Sequence, residues 1–100
     1  MMRMPLLTED EITEHLAKLP GWTRTGGAIS KTYQFAGFTQ AMKFVNQVAE
    51  TSESVNHHPD IDIRYQTVTL MLTTHDSQGL TLNDIDLAAV CDDYANGISQ

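Results

Sequence analysis

ESVNHHPDIDIRYQTVTLMLTTH, residues 53–75, is the stretch on which the reading of this chain turns. It holds three of the four histidines: His57 and His58 side by side, followed at once by Pro59, and His75 at its far end. Pro59 biases His58 toward an extended conformation. Residues 60–65 and 68–75 then alternate apolar and polar, the period of strands with one buried face. With Gln66-Thr67 as the hairpin tip, Tyr65 falls opposite Val68, Ile63 opposite Leu70 and Ile61 opposite Leu72, all on one side. Asp60, Asp62, Arg64, Thr69, Met71 and Thr73 take the other side. The same register sets His58 opposite His75, with β-carbons about 5 Å apart. Gln66-Thr67 lacks the Asn-Gly or Gly-X preference of tight hairpins.

The flanking segments supply the rest of a fold. Residues 8–19 read as a helix: Thr8 and Glu11 have capping-box spacing, Glu9, Asp10 and Glu11 suit the positive end of the dipole, and Pro20-Gly21 ends it. Residues 22–24 and 28–35 read as two strands joined at Gly26-Gly27, with Ile29, Lys31, Tyr33 and Phe35 toward the core and Lys31 near an edge. Gly37 breaks the second strand. Residues 38–52 read as the main helix, with Phe38, Ala41, Met42, Val45, Val48 and Ala49 as its apolar stripe and Phe44 also in the core. Residues 81–95 form a third helix opened by Thr81 and Asp84 in a second capping pattern, with the residues after Ala95 frayed. The order helix-strand-strand-helix-strand-strand-helix predicts an α+β two-layer sandwich. Its four-stranded sheet is largely antiparallel, with three helices on one face.

One hundred residues with 41% apolar side chains make a single domain over residues 1–100. The net charge of -7 argues against sequence-independent nucleic-acid binding and against docking on an anionic membrane. No apolar run approaches the ~20 residues of a membrane span, and MMRMPLLTEDE has no signal-peptide core. The single cysteine, Cys91, lies in a helical pattern and reads as a buried structural thiol in a reducing compartment. The expectation is a cytoplasmic protein, complete as given.

Histidine chemistry is the functional signal. No Cys-x-x-Cys, His-Glu-x-x-His or carboxylate at a familiar ligand spacing accompanies the histidines, so no metal site is expected. No serine sits in a recognisable elbow, which leaves nucleophilic catalysis without a candidate. General acid–base chemistry fits best, because imidazole gives and takes protons near neutral pH. The bland alternative, an exposed histidine group, stays open on pattern alone.

The segments E-x-x-x-H-H-P (Glu53 to Pro59), Tyr65, T-T-H (Thr73 to His75) and G-L-x-x-x-D-I-x-L-A (Gly79 to Ala88) resemble pterin-4a-carbinolamine dehydratase. This family is also known as the dimerisation cofactor of a homeodomain transcription factor. The resemblance extends to Gly21-Trp22 and to the start of the main helix. It implies removal of water from 4a-hydroxy-tetrahydropterin to give quinonoid dihydropterin, with no metal or redox cofactor. It implies a homodimer or homotetramer and a functional link to phenylalanine hydroxylase. By position, His57, His58 and His75 match the catalytic histidines and Asp84 an acid near them. Asn56, Thr73 and Thr74 match pterin-binding segments, and Glu53 an acid at the pocket edge. The resemblance and the chemistry together put His58 and His75 beside the reacting edge, with His57 assisting and Asp84 holding one imidazole in a chosen tautomer. Ile61 departs from the pattern, since relatives often carry an aromatic residue two positions after the proline. Two alternatives remain: a non-catalytic dimerisation or binding module of the same fold, and an enzyme acting on a related pterin.

Overall fold

The computed structural model describes residues 4–98. Its elements follow the expected order: α1 (Glu9–Ala17), β1 (Thr23–Thr25), β2 (Ala28–Gln34), α2 (Phe38–Val55), β3 (Asp60–Arg64), β4 (Thr67–Leu72), a 3-10 turn (His75–Ser77) and α3 (Leu82–Asn96). All three strand pairings are antiparallel, and the sheet order is β1-β2-β4-β3. Ile29 and Tyr33 of β2 and Val68, Leu70 and Leu72 of β4 point to one side. There they meet Ile12, Phe44, Val48, Ile85, Ala88 and Cys91 of the helices in one core. The other side of the sheet carries Thr32, Gln34, Asp60, Asp62 and Arg64 and is open.

Local chemistry sets the helix starts. Thr8 Oγ1 accepts the Glu11 N–H at 3.1 Å while Glu11 Oε1 accepts the Thr8 N–H at 2.8 Å, satisfying two free donors of α1. The Arg24 guanidinium grips both carboxylate oxygens of Glu9, tying α1 to β1. It holds the Glu9 carboxyl below the usual carboxylate range. α2 buries Ala41, Phe44, Val45, Val48 and Ser52, a row recurring every three or four residues. Phe44 sets its ring at a tilt against Tyr33 and Phe35, with centroids 4.7 Å and 5.0 Å apart.

Two expectations for this helix are corrected. Phe38 is 50% exposed and Ala49 is exposed, because the buried row is centred on Phe44 rather than on the Phe38 edge of the stripe. α2 also runs three residues further, to Val55, and stops where Asn56 turns left-handed (φ 52°). The His57 N–H then bonds the Ser52 carbonyl at 3.0 Å, closing the helix end.

The β3–β4 hairpin has the expected faces but a different register. Ile61 pairs with Leu70, Ile63 with Val68 and Arg64 with Thr67, so the tip is Tyr65-Gln66, one residue earlier than expected. Tyr65 takes a left-handed conformation (φ 54°) and is 69% exposed, outside the core. A two-residue change of pairing keeps every side chain on its face, so the hydrophobic pattern cannot choose between the two registers. The Gln66 carbonyl accepts the Phe35 N–H at 3.0 Å, fixing the tip against the end of β2. Ile61 lies on the helix-facing side and packs against the core.

Lys31 was expected near an edge; it lies on β2, an interior strand, and its charge is met by an ion pair that the strand pattern did not show. Asp92 Oδ1 of α3 accepts from Lys31 Nζ at 2.9 Å, Tyr33 Oη at 2.6 Å and Trp22 Nε1 at 3.1 Å. Burial, with the bond to Asp92 behind it, pushes the Tyr33 phenol far above its usual range. Cys91 is buried as expected. At the ends, Asn96 belongs to α3 and Ile98 packs against the core, while residues 1–3 and 99–100 lie outside the described residues. Among the described residues no helix is long and apolar enough to cross a membrane.

Candidate active site

Three chain segments converge at one end of the sheet. The left-handed stop at Asn56 turns the backbone out of α2 and presents His57 and His58. Beyond β4 the strand gives way to Thr73 and Thr74, and the 3-10 turn carries His75 and Asp76. Asn56, His57, His58, Thr73, Thr74, His75 and Asp76 line a single open cleft of about 190 Å³.

The loop that carries His75 is pinned at its base. The Thr74 N–H donates to the Gly79 carbonyl at 3.0 Å, and the Gly79 N–H returns to the Thr74 carbonyl at 3.3 Å. Gln78 turns left-handed (φ 60°) to close the loop, and Ser77 Oγ donates to the Met4 carbonyl at 2.7 Å. His75 is therefore exposed on a short, tied loop rather than on a strand.

Behind the cleft, α3 brings up a carboxylate. Asp84 is fully buried. Its Oδ1 lies 2.7 Å from His57 Nε2, and its Oδ2 accepts the Thr74 hydroxyl at 2.8 Å and the Thr81 N–H at 3.0 Å. Facing a carboxylate, Nε2 carries the proton, so the neutral ring keeps its lone pair on Nδ1. The ring can take one more proton, and Asp84 then faces an imidazolium. The second imidazole differs: His58 Nε2 meets Glu53 Oε1 at 2.6 Å with both side chains largely in solvent.

All eight residues singled out in the sequence are accounted for. His57, His58, His75, Asn56, Thr73 and Thr74 line the cleft, Asp84 underlies it, and Glu53 reaches its rim through His58. The expected cross-strand pairing of His58 with His75 is not formed. β3 begins at Asp60 and β4 ends at Leu72, so neither histidine is in the ladder, and the observed register would bring Thr73 opposite His58. The two hydroxyls are already engaged: Thr73 Oγ1 donates to the Gly27 carbonyl at 2.6 Å, and Thr74 serves Asp84. Ile61 does not line the cleft and packs here against the core. Asp76 and the hydroxyl of Thr81 were missed. Thr81 was legible only as a helix cap, and Asp76 only as the residue after His75. Among the described residues no three His, Cys, Asp or Glu side chains are grouped to hold a metal.

Fold and cleft define a class: a small α+β domain with an imidazole-lined, ring-sized cleft backed by one buried carboxylate. A family-wide profile described as Pterin 4 alpha carbinolamine dehydratase matches residues 5–94. A protein of Roseiflexus castenholzii named "Putative pterin-4-alpha-carbinolamine dehydratase" is 53% identical over 88 residues, 88% of this chain and 95% of its own length. One of the same name from Nocardia farcinica is 49% identical over 94 residues, 94% of this chain and 99% of its own. Among solved structures, a transcriptional coactivator/pterin dehydratase from Brucella melitensis superposes with a TM-score of 0.89 at 34% identity, covering 91% of this chain and 99% of that one. A pterin dehydratase-like protein identified as a RuBisCO assembly factor shares the fold, with a TM-score of 0.65 at 22% identity over 79% of this chain and 89% of that one. The chain belongs to the pterin 4 alpha carbinolamine dehydratase family, which places it among lyases that act on pterins.

Proposed function

We propose that this chain removes water from 4a-hydroxy-tetrahydropterin to give quinonoid dihydropterin. The observation that carries the reading is the His57–Asp84 pair, 2.7 Å apart, behind a cleft that His58 and His75 also line. The reaction breaks the bond between carbon 4a and its hydroxyl oxygen. That oxygen needs a proton to leave as water, and the proton on ring nitrogen 5 must pass to a base as the new carbon–nitrogen double bond forms. One imidazole in each protonation state meets both demands. His57, with Nε2 held by a buried carboxylate, is the base of this scheme. His58 and His75, on the open side, supply the proton to the leaving hydroxyl. Asn56 and the backbone of Thr73 and Thr74 form the floor against which the ring lies, and Glu53 orients His58 at the rim.

On this reading the chain recycles the pterin of an aromatic amino acid hydroxylase such as phenylalanine hydroxylase. It works as a homodimer or homotetramer in the cytoplasm. An assembly of this kind would cover the exposed apolar side chains of Phe38 and Val55, which stand at the two ends of α2. The test is dehydration of freshly generated carbinolamine, followed by absorbance. Acceleration above the unaided reaction supports the proposal. A rate equal to the unaided one overturns it and leaves a binding module of the same fold. Calorimetry with different pterins separates this substrate from a related one.

A further inference from the structure

The side chains behind the cleft form a row of hydrogen bonds with one possible direction. Asp84, as a carboxylate, only accepts. Its Oδ2 takes the Thr74 hydroxyl proton at 2.8 Å. That proton being spent, the 2.8 Å contact between Thr74 Oγ1 and Thr81 Oγ1 has Thr81 donating and Thr74 accepting. Thr81 Oγ1 in turn accepts the Asn83 N–H at 3.2 Å. Both threonines and Asp84 are buried, where each bond in such a row polarises the next. Oδ2 also holds the Thr81 N–H at 3.0 Å, so Oδ1 is the oxygen left for His57.

Each threonine thus serves two structures. Thr81 is the N-cap of α3 and the far end of the row. Thr74 donates to Asp84 through its side chain, while its backbone pairs with Gly79 and closes the loop that presents His75. Thr74 thus connects the pose of His57, through its hydroxyl on Asp84, to the placement of His75, through its backbone.

We propose that Thr81 and Thr74 are positioning residues for His57: their directed row onto Asp84 Oδ2 reserves Oδ1 for His57 Nε2, which fixes the imidazole with its proton on Nε2 and its lone pair on Nδ1. The kinetic consequence rests on the dehydratase reading above; the tautomer does not. A merely structural cap would affect stability alone. The same chain contains the control, because Thr8 also opens its helix with a capping box and its partner there is Glu11 of α1, not Asp84.

The experiment combines nitrogen NMR of the histidine rings with dehydration kinetics for the wild type, Thr81→Val, Thr81→Ser, Thr74→Ala and Thr8→Val. In the wild-type spectrum the neutral form of His57 is expected to be protonated on Nε2. Thr81→Val and Thr74→Ala mix the tautomers and lower kcat about 10-fold with KM within about twofold, the scale seen when partners that orient a functional imidazole are removed. Thr81→Ser restores both readouts. Thr8→Val lowers the melting temperature and changes neither. Thr74→Ala keeps the α3 cap, so it carries the test if Thr81→Val does not fold. A wild-type His57 protonated on Nδ1, an unaltered tautomer in the folded Thr74→Ala protein, or a kcat loss shared by Thr8→Val overturns the proposal. If the wild type accelerates no dehydration, the dehydratase reading falls and the ring spectra still decide the positioning role.

Discussion

Replacing Asp84 by asparagine changes one atom of the site and reverses its hydrogen-bond logic. The amide has one acceptor and one donor group where the carboxylate has two acceptors. In one orientation the amide oxygen takes the place of Oδ2 and keeps the Thr74 hydroxyl and the Thr81 N–H, which the carboxylate holds at 2.8 and 3.0 Å. The amide NH₂ then faces His57. In the other orientation the oxygen faces His57 and the NH₂ faces Thr81. The Thr74 hydroxyl can rotate away, but the Thr81 N–H cannot, and a stranded buried donor costs about 1–3 kcal/mol. That cost favours the first orientation by roughly five- to a hundredfold, at 1.4 kcal/mol per factor of ten. His57 Nε2 must then accept, so its proton moves to Nδ1 and the lone pair is lost from that nitrogen. A comparable carboxylate-to-amide change beside a catalytic histidine in serine proteases costs about 10⁴ in kcat. Here two further imidazoles line the cleft, and the expected loss is about 10²-fold in kcat. KM should stay within about threefold, because the cleft surface is unchanged. Loss of the charged partner at the α3 N-terminus adds about 1 kcal/mol of destabilisation, or roughly 4–8 °C in Tm. Dehydration kinetics and the nitrogen shifts of His57 measure both effects. A kcat within about threefold of wild type, or a His57 still protonated on Nε2 in the variant, would refute the reasoning.

Two further changes act on stability and leave the cleft alone. Asp92→Ala strips the shared acceptor from Trp22, Tyr33 and Lys31, and leaves Lys31 with the Pro20 carbonyl at 2.9 Å and the face of the Tyr33 ring at 4.9 Å. A loss of about 3 kcal/mol follows, since both ions of the pair are mostly buried, and Tm should fall by roughly 12–24 °C with kcat unchanged in the folded protein. A fall of less than about 3 °C would show that the clamp contributes little. Burial, helped by neighbouring Asp92, pushes the Cys91 thiol from 9.0 up to about 12. The native state therefore holds that proton more tightly than the unfolded chain. Its contribution is fully present below pH 9 and is lost as pH rises toward about 12, at about 1.4 kcal/mol per pH unit. Urea titrations across that window check the slope. Rapid native-state labelling of Cys91 by a thiol reagent near pH 8 would contradict it.

What was legible in the sequence was mostly local. The capping boxes at Thr8 and Thr81 involve residues three apart and read directly from the chain. Period-two alternation named the buried faces of β3 and β4, because face depends only on parity. Register was not legible for the same reason: pairing Ile61 with Leu70 or with Leu72 puts the same β3 residues on the helix-facing side, where Ile61 packs against the core and Ile63 stays exposed. The turn at Tyr65 decided it, in a left-handed conformation that its residue type does not advertise. Asn56 is a residue that tolerates that conformation, and it was the available sign that α2 ends at Val55. The histidine cluster was visible as composition; the resemblance put Asp84 and Glu53 near it, but which imidazole each would hold was not visible. Asp84 is 27 residues from His57, and only packing of α3 under the cleft shows that this imidazole receives the buried carboxylate. The Thr74 link to Asp84 spans ten residues across a loop and has no sequence period to reveal it.

The most direct test of the account is the dehydration rate of freshly generated carbinolamine with wild-type protein, His57→Ala, and the double variant His58→Ala/His75→Ala, each confirmed folded by Tm. The account predicts acceleration by the wild type, a loss of about 10²-fold or more in kcat for His57→Ala, and a comparable loss for the double variant. Near-wild-type rates in both variants would contradict the assignment of acid and base to these imidazoles.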